Sequence, residues 1–511
     1  MRGRGDGCRG EGRIVGEVDE EVHVQSAVDL ELALRSPIWR VRNARTAMGC
    51  RRVPGLLYSY NTARPLPCLN IMPANSALPA ITRLYQACEP QESLAPSDPR
   101  WVDFDPVRGE DNVVEQCARS LRRADPAKPY FRLFSGHRGV GKTSELQRLK
   151  ALLEAGSNGS KGFLVVFGDV SDALDVNDLD FPDLLVFIAA HLQKELAAKG
   201  LRGFNPITTY LTKTWDDICA LLTAEVELKN VRADTGFGKL TMELRNRPNS
   251  RSQLRDAVEK HSTSLLQAVN DLLDSAQAAA LSAGFAGMVL IIDGLDKLVR
   301  RGLGEGSNTH DRLFIDRCDQ LASLKVHTIY TVPISLIYSP FFAQVEETFG
   351  KCNAPVSMIR LHSRFDEPVK PDSEGMLKMR EMVDKRCSYA GIAPDKVFDA
   401  PATLDYLCEM SGGHPRHLMM FVQAACNELD DLPITRHAAD KAVRRYANAL
   451  LREVPDAAWD ALAHFKTPQR DIPKDDLHQQ MMFLLFVFEY MNGAPWYELN
   501  PVLRTLERLA R

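Results

Sequence analysis

The sequence lacks the features of disulfide-stapled, zinc-binding and membrane proteins. Its 11 cysteines include no Cys-x-x-Cys pair and no Cys/His cluster with zinc-ligand spacing. Widely spaced cysteines of this kind predict reduced thiols in a cytoplasmic protein. The most apolar run, Met481 to Val487, is far shorter than the roughly 20 residues that a membrane-spanning helix needs. No apolar stretch follows the basic start of the chain, so the sequence predicts neither a secretory signal nor a membrane partner.

The chain also lacks an excess of positive charge. Its 511 residues carry 63 Lys and Arg against 67 Asp and Glu, a formal net charge of −4. No global basic field therefore draws it onto nucleic acid. Hydrophobic residues make up 45% and charged residues 25%, which is the balance of a globular protein. The length predicts two to four domains.

The first 71 residues differ from the rest of the chain. They show no sustained helical or strand period, and lysine is absent until Lys128. We predict that residues 1–71 are poorly ordered. Met72 opens a more regular segment, so the stretch before it is either upstream of the true start or a regulatory arm. Residues 72–104 are assigned to an N-terminal arm.

From about Ala80, short apolar runs alternate with helical patterns. This alternation predicts an α/β fold with a mostly parallel sheet that is covered by helices on both faces. The predicted strands are Tyr130–Phe134, Phe163–Phe167, Met288–Ile292, Val326–Val332 and Val356–Leu361. They define a core at 105–367.

Two parts of the chain interrupt or follow this alternation. The long gap between the second and third predicted strands indicates an insertion at about 220–283, with a hairpin at Glu225–Arg245 and a helix at Ser252–Ala283. After Pro368 the strand patterns stop. The helical patterns that follow predict a lid at 368–432 and a small terminal domain at 433–511.

The segment Gly136-His137-Arg138-Gly139-Val140-Gly141-Lys142-Thr143 fits the pattern G-x-x-x-x-G-K-[ST] of a phosphate-binding loop. It follows a predicted strand and opens a predicted helix, which is the context that the pattern requires. Glycines let successive backbone N–H groups curl around phosphates, and the helix N-terminus adds partial positive charge. We predict that Lys142 reaches the β- and γ-phosphates and that Thr143 ligates Mg²⁺. The predicted nucleotide-binding residues are Gly136, His137, Arg138, Gly139, Val140, Gly141, Lys142, Thr143 and Ser144.

A second motif places carboxylates at the end of a strand. The run Met288–Ile292 is followed by Asp293 and, three residues later, Asp296. Ligands bind at the carboxyl ends of strands in open α/β sheets, so Asp293 is predicted to anchor Mg²⁺ and Asp296 to orient the attacking water. At the end of the next strand, Thr331 is predicted either to contact the γ-phosphate or water, or to be a buried structural residue.

With both motifs in place, the chain resembles the signal-transduction ATPases of the STAND class and the related origin-recognition-type AAA+ ATPases. Asp293-Gly294-Leu295-Asp296 is similar to the acidic motif of the NACHT branch, and Ser411-Gly412-Gly413-His414-Pro415-Arg416 resembles the shared lid motif. The resemblance implies that Pro415 lies near the adenine and that Arg416 is a sensor arginine reaching the γ-phosphate. Asp105–Glu110 resembles the segment that closes over the base. The stretch Glu489–Pro501 is similar to the end of a winged-helix domain.

The resemblance also implies an architecture and a function. We expect a five-stranded core, a helical lid and a winged-helix-like domain at 433–511, with ATP-dependent switching and self-assembly or a separately encoded protein partner. The residues alone leave ATP and GTP both open, with no Asn/Thr-Lys-x-Asp guanine-reading motif in the chain, and the resemblance favours ATP. Most AAA+ motors carry Glu directly after the Mg²⁺-binding Asp, where this chain has Gly294, so Asp296 is expected to serve as the base and hydrolysis to be slow.

Three further questions stay open at the level of sequence. Arg312, Arg317 and Arg364 are candidates for an arginine that acts in trans. A DNA-binding initiator or transposition-helper ATPase is an alternative function, although residues 433–511 are near charge balance and show no basic stripe. A nucleotide-stabilised scaffold with negligible turnover is the third possibility, because binding and catalysis use most of the same residues.

Overall fold

The computed structural model describes residues 78–510, apart from 110–111, 126–127, 157–160, 178, 200–261, 305–306, 351–354 and 363–367. The strands are β1 (Phe131–Phe134), β2 (Leu164–Asp169), β3 (Met288–Asp293), β4 (Gly302–Gly304), β5 (Ser307–Asn308), β6 (His327–Thr331), β7 (Val487–Asn492) and β8 (Ala494–Leu499). The α-helices are α1 (Ala80–Ala87), α2 (Val113–Arg123), α3 (Lys142–Glu154), α4 (Val170–Ala173), α5 (Phe181–Ala198), α6 (Ser262–Ser282), α7 (Thr309–Phe314), α8 (Cys318–Leu321), α9 (Ile334–Ile337), α10 (Phe342–Phe349), α11 (Glu374–Tyr389), α12 (Pro401–Ser411), α13 (Pro415–Cys426), α14 (Arg436–Glu453), α15 (Trp459–His464), α16 (Asp476–Phe483) and α17 (Glu507–Ala510). Residues 1–71, the hairpin predicted at Glu225–Arg245 and Arg364 lie outside the described residues.

The core is a parallel sheet with the strand order β1–β6–β3–β2. All six residues of β3 are buried, because helices cover both faces of the sheet. On one face, Val289 and Ile291 pack with residues of α2 and α3. On the other, Leu290 and Ile292 pack with residues of α5 and α6. The prediction of an α/β fold with a parallel sheet is confirmed.

The number of strands differs from the expected five, since the sheet of the described residues has four. The segment predicted as the fifth strand, Val356–Leu361, lies beside the end of β1 but forms only one parallel bridge, between Gly136 and Val356. Its next backbone groups bond elsewhere. The N–H of Met358 donates to the carbonyl of Glu489 at 3.3 Å, and that of Arg360 donates to the carbonyl of Val107 at 2.9 Å. The segment therefore joins the core to the C-terminal hairpin instead of extending the sheet.

The helices of the lid pack around a second hydrophobic cluster. Residues of α11, α12, α13 and α14 share it with α1, which precedes the sheet in the chain. Helix ends are capped by side chains as their sequence suggests: Ser373 accepts a hydrogen bond from the N–H of Met376, and Thr435 accepts one from that of Ala438. Because α1 belongs to the arm that precedes the core, this shared cluster packs the arm against the lid.

The C-terminal part consists of α14, α15 and α16 followed by the antiparallel hairpin β7–β8. Gln469 and Tyr497 exchange two backbone hydrogen bonds of 2.8 Å, which adds a short third segment beside β8. The hairpin is buried against the core, because Phe488, Tyr490 and Trp496 join the cluster formed by α2, α3 and the sheet. The winged-helix-like domain at 433–511 stays a prediction. Within this part of the chain, the hairpin β7–β8 packs against the sheet.

Glu489 places a carboxyl group inside this contact. The residue is 4% exposed, and burial raises its pKa to about 7 although a hydrogen bond from Tyr338 acts in the opposite direction. An unperturbed glutamate has a pKa of 4.5. Between these two values the folded protein holds a proton that the unfolded chain has lost. The free energy of unfolding therefore falls as the pH rises through this window.

We expect Glu489→Gln to flatten this pH dependence, because glutamine stays neutral at every pH. The wild-type protein should lose about 3 kcal/mol of unfolding free energy through this group as the pH rises from about 4.5 to about 7. Denaturant titrations at several pH values across the window measure the loss. Glu453→Gln, at an exposed position, is the matched control. Equal slopes for the wild type and Glu489→Gln would show that Glu489 does not titrate as argued.

Candidate functional site

The phosphate-loop sequence lies between β1 and α3. Gly136 has a φ of +144°, and a Cβ added there would lie 2.5 Å from the carbonyl oxygen of Val356, so only glycine fits. Lys142 opens α3 and folds back over the loop. Its Nζ donates to the carbonyl oxygens of Gly136 at 2.8 Å and His137 at 2.9 Å. The loop therefore closes around the lysine that the motif predicts to bind phosphate.

Two aspartates from the end of β3 meet this loop. Asp296 Oδ2 lies 2.8 Å from Lys142 Nζ, and Thr143 Oγ1 donates to Asp293 Oδ2 at 2.6 Å. Both aspartates are buried. Burial, with the nearby charge of Asp296 in second place, raises the pKa of Asp293 above its ordinary value. A cation beside Asp293 would offset the cost of its buried charge.

Thr143 and Asp293 fit the requirements of Mg²⁺. Both supply hard oxygen atoms, and the two oxygens already lie in contact. Mg²⁺ is usually held by one or two protein oxygens together with substrate phosphates and water. Within the described residues, no group of three or more His, Cys, Asp or Glu side chains is placed to hold a metal ion.

Thr331 has a structural position. It is fully buried at the end of β6, and its Oγ1 accepts a hydrogen bond of 3.1 Å from the N–H of Leu295. It is not among the residues that line the cavity beside the loop. Of the two roles that the sequence left open, this geometry fits the second, in which Thr331 supports the turn that carries Asp296.

The lid motif reaches the loop directly. His414 Nε2 donates to the carbonyl oxygen of Arg138 at 2.9 Å, and its Nδ1 accepts from the N–H of His417. A Cβ added at Gly139 would lie 2.7 Å from His414 Cε1 and 3.0 Å from Arg416 Cδ. Pro415 and Arg416 line the same cavity as Lys142 and Asp296. The structure thus brings the predicted core and lid residues together.

The N-terminal arm forms another wall of the cavity, which sequence reasoning missed. Residues 89–94 line it. The N–H of Leu94 donates to Ser144 Oγ at 3.0 Å, and Arg416 Nε donates to the carbonyl oxygen of Pro90 at 3.2 Å. The arm carries no recognisable motif, and its position depends on packing with the lid. No local signal in the sequence predicts it.

Arg108 supports the phosphate loop from beneath. Its guanidinium is buried and donates to the carbonyl oxygens of Val140 at 2.7 Å and Ser357 at 2.6 Å. Glu145 lies 3.6 Å away as its charge partner. The segment expected to close over the base therefore contributes a side chain that fixes the loop.

Asp169 and Lys297 are further cavity residues that were not predicted. Lys297 Nζ donates to Asp169 Oδ2 at 2.8 Å. Asp169 ends β2 as Asp293 ends β3, and the two residues are partners in the parallel register. The position of Asp169 at the end of an apolar strand is the signal that could have identified it.

The C-terminal hairpin contacts the loop at His137. The N–H of Glu489 donates to His137 Nε2 at 2.8 Å. The ring of Phe488 lies 5.7 Å from that of His137 and 5.8 Å from that of His414. Burial, assisted by the charge of Lys142, lowers the pKa of His137 to about 3. The imidazole is therefore neutral and can accept the hydrogen bond.

Two of the candidate trans-acting arginines, Arg312 and Arg317, lie away from the cavity. Arg312 forms an ion pair with the buried Asp180, and Arg317 donates to Gln320. Neither lines the cavity within the described part of the chain.

Among the described residues, no helix combines the length and the apolar character that a bilayer span requires.

No protein-family model matches this chain, and no curated protein matches it. Among solved structures, a chain of the Drosophila ORC bound to DNA aligns over 91% of this chain and 97% of its own length, at 12% identity and a TM-score of 0.35. The Aeropyrum pernix ORC1 protein in complex with DNA aligns over 82% of this chain and 94% of its own, at 11% identity and a TM-score of 0.33. At this sequence identity and TM-score the two structures carry no argument about function, which is argued below from the residues of this chain.

The close approach of lid and loop predicts a strong effect of Gly139→Ala. The new methyl group would overlap His414 and Arg416, so we expect a lower melting temperature and a nucleotide affinity reduced about tenfold or more. Gly391→Ala is the matched control, because Gly391 has a φ of +67° but no atom within 4 Å of the added Cβ. Thermal unfolding and nucleotide titration compare the two. Equal effects would mean that backbone strain alone matters and that the lid contact does not.

Proposed function

We propose that this protein is an ATP-binding P-loop ATPase of the AAA+ type that hydrolyses ATP slowly and switches conformation with its nucleotide. The observation that carries the proposal is the position of Lys142. Its ammonium group contacts two loop carbonyls and Asp296, beside the Thr143–Asp293 pair. These are the groups that bind and neutralise a triphosphate in P-loop enzymes.

Each residue has a part in this reaction. The N–H groups of the loop and of the first turn of α3 bind phosphate oxygens, and Lys142 neutralises the β- and γ-phosphates. Thr143 and Asp293 would hold Mg²⁺, which would supply positive charge to offset that of the phosphates. Arg416 extends from the lid over Gly139, so a γ-phosphate would connect the lid to the core. Pro415 is the lid residue proposed to face the base.

Phosphate release by the purified full chain tests hydrolysis. We expect a low but measurable rate that Lys142→Ala abolishes, because the variant loses the charge at the β- and γ-phosphates. Lys325→Ala is the matched control, since Lys325 forms an exposed ion pair with Asp274 away from the cavity. A wild-type rate equal to that of Lys142→Ala, with ATP bound, would refute hydrolysis and favour the scaffold alternative.

The contact between the hairpin and the loop supports the switching part of the proposal. His137 lies inside the phosphate loop, and its Nε2 accepts from the backbone of β7. A change in the loop on exchange of ATP for ADP would therefore act on the hairpin without an intermediate residue. Nucleotide shifts such an equilibrium by its different affinity for the two states. This is the behaviour that the resemblance to STAND ATPases implies.

Hydrogen exchange of the Glu489 amide tests this coupling, because that amide is the donor to His137. We expect exchange in β7 to be several-fold faster with a non-hydrolysable ATP analogue than with ADP. His137→Ala should make exchange fast with either nucleotide. Amides of α14, which lies outside the contact, serve as the internal reference. Equal protection of β7 with both nucleotides would contradict the coupling.

The DNA-binding alternative makes a different demand on the C-terminal part. It requires α16, the helix before the hairpin, to be free for a duplex. In this structure Arg300 forms an ion pair of 2.7 Å with Asp476, and Gln479 Nε2 donates to the carbonyl oxygen of Tyr338 at 3.2 Å. These contacts hold one side of α16 to the core, and residues 433–511 show no basic stripe, so the switch is the function that we put forward.

A further inference from the structure

Gly294 directly follows Asp293 and leaves no room for a side chain. Its φ is +85°, and a Cβ added there would lie 2.2 Å from Asp169 Oδ1. Real Cβ atoms do not approach another atom this closely. The carboxylate of Asp169 therefore fills the space in which a side chain at position 294 would begin. It comes from β2, the strand next to β3 in the sheet.

The three carboxylates at this edge of the sheet have different partners. Asp293 accepts from Thr143 Oγ1 at 2.6 Å, and Asp296 pairs with Lys142 at 2.8 Å. Asp169 instead accepts from Lys297 and Ser171. Two of the three are thus held by side chains of the phosphate loop. Asp169 lines the same cavity, and the two side chains that donate to it within the described residues, Lys297 and Ser171, lie outside the phosphate loop.

The hydrogen bonds of Asp169 leave one position for water. Oδ1 accepts from both the N–H and the hydroxyl of Ser171. Oδ2 accepts from Lys297 Nζ alone within the described residues, and a carboxylate oxygen has two acceptor positions. The ammonium group of Lys297 is also the charge partner of this carboxylate.

We propose that Asp169 is the catalytic carboxylate that orients and deprotonates the attacking water, in the place of the side chain that Gly294 lacks. This assignment rests on the proposed ATPase function and differs from the sequence-based expectation for Asp296. The water oxygen forms a bond to the γ-phosphorus while the bond from that phosphorus to the bridging oxygen breaks. ADP leaves with the electron pair of the broken bond. The proton lost by water passes to Asp169, which releases it to solvent.

Asp296 then has a different part. Its carboxylate orients Lys142 and so acts on nucleotide binding. The two roles predict different effects of substitution on the turnover number and on the affinity for ATP. Asp169→Asn should lower the turnover number about 100-fold or more and change the affinity for ATP less than threefold. Asp296→Asn should chiefly weaken ATP binding.

The experiment measures phosphate release at saturating ATP and binding of a fluorescent ATP analogue, both with the full chain. The matched control is Asp274→Asn, which removes a carboxylate from an exposed lysine pair far from the cavity. A second variant keeps a carboxylate at the same position: Asp169→Glu should turn over at least tenfold faster than Asp169→Asn. Nucleotide affinity and melting temperature show that each variant is folded.

The outcomes separate this assignment from the proposed function. Wild-type turnover in Asp169→Asn, with Lys142→Ala inactive, would overturn the role of Asp169 and leave the ATPase proposal standing. Turnover of a folded Asp169→Glu as low as that of Asp169→Asn would also overturn it. Wild-type turnover no higher than that of Lys142→Ala would overturn hydrolysis itself, and the assignment with it.

Discussion

The ammonium group of Lys142 is buried, with 4% of its side chain exposed, and a buried charge is stable only with close partners. Asp296 and two loop carbonyls supply them. Each of these contacts constrains the surrounding structure. The loop has to turn back over the lysine, which requires the positive φ of Gly136. The turn that carries Asp296 has to stay in place beside the loop. The hydrogen bond from the N–H of Leu295 to Thr331 Oγ1 fixes that turn.

The same requirement explains why parts distant in sequence converge here. Arg108 fixes the loop from one side through the carbonyl of Val140, and His414 holds it from the lid through that of Arg138. The carbonyls of Val140 and Arg138 accept from these two donors, and those of Gly136 and His137 accept from Lys142. The hairpin adds a contact at His137. A packed arrangement of this kind has discrete alternatives and deforms little, so a change in the loop has to move one of its partners.

The parts of the site that could be predicted are those encoded within a few residues of each other. Lys142 and Thr143 are adjacent in the loop motif, and Asp293 follows its strand directly. The arm at residues 89–94 and the hairpin contact at His137 could not be predicted, because each depends on packing between segments that are hundreds of residues apart. The edge segment Val356–Leu361 has the apolar pattern of a strand. Its hydrogen bonds nevertheless go to Glu489 and Val107, and no local pattern encodes that choice.

Asp169 and Asp293 show how neighbours decide the role of a side chain. The register of two parallel strands brings both to the same level of the sheet. The pKa of Asp293 is raised by burial and by the charge of Asp296, whereas that of Asp169 is lowered by Lys297 and Ser171 despite burial. A carboxylate without a cation of its own is suited to receive one, and a carboxylate already paired with an ammonium group keeps its charge without a metal. Paired acidic groups with opposite shifts commonly divide the work of a reaction between them, which is the division that the proposed roles of Asp293 and Asp169 require.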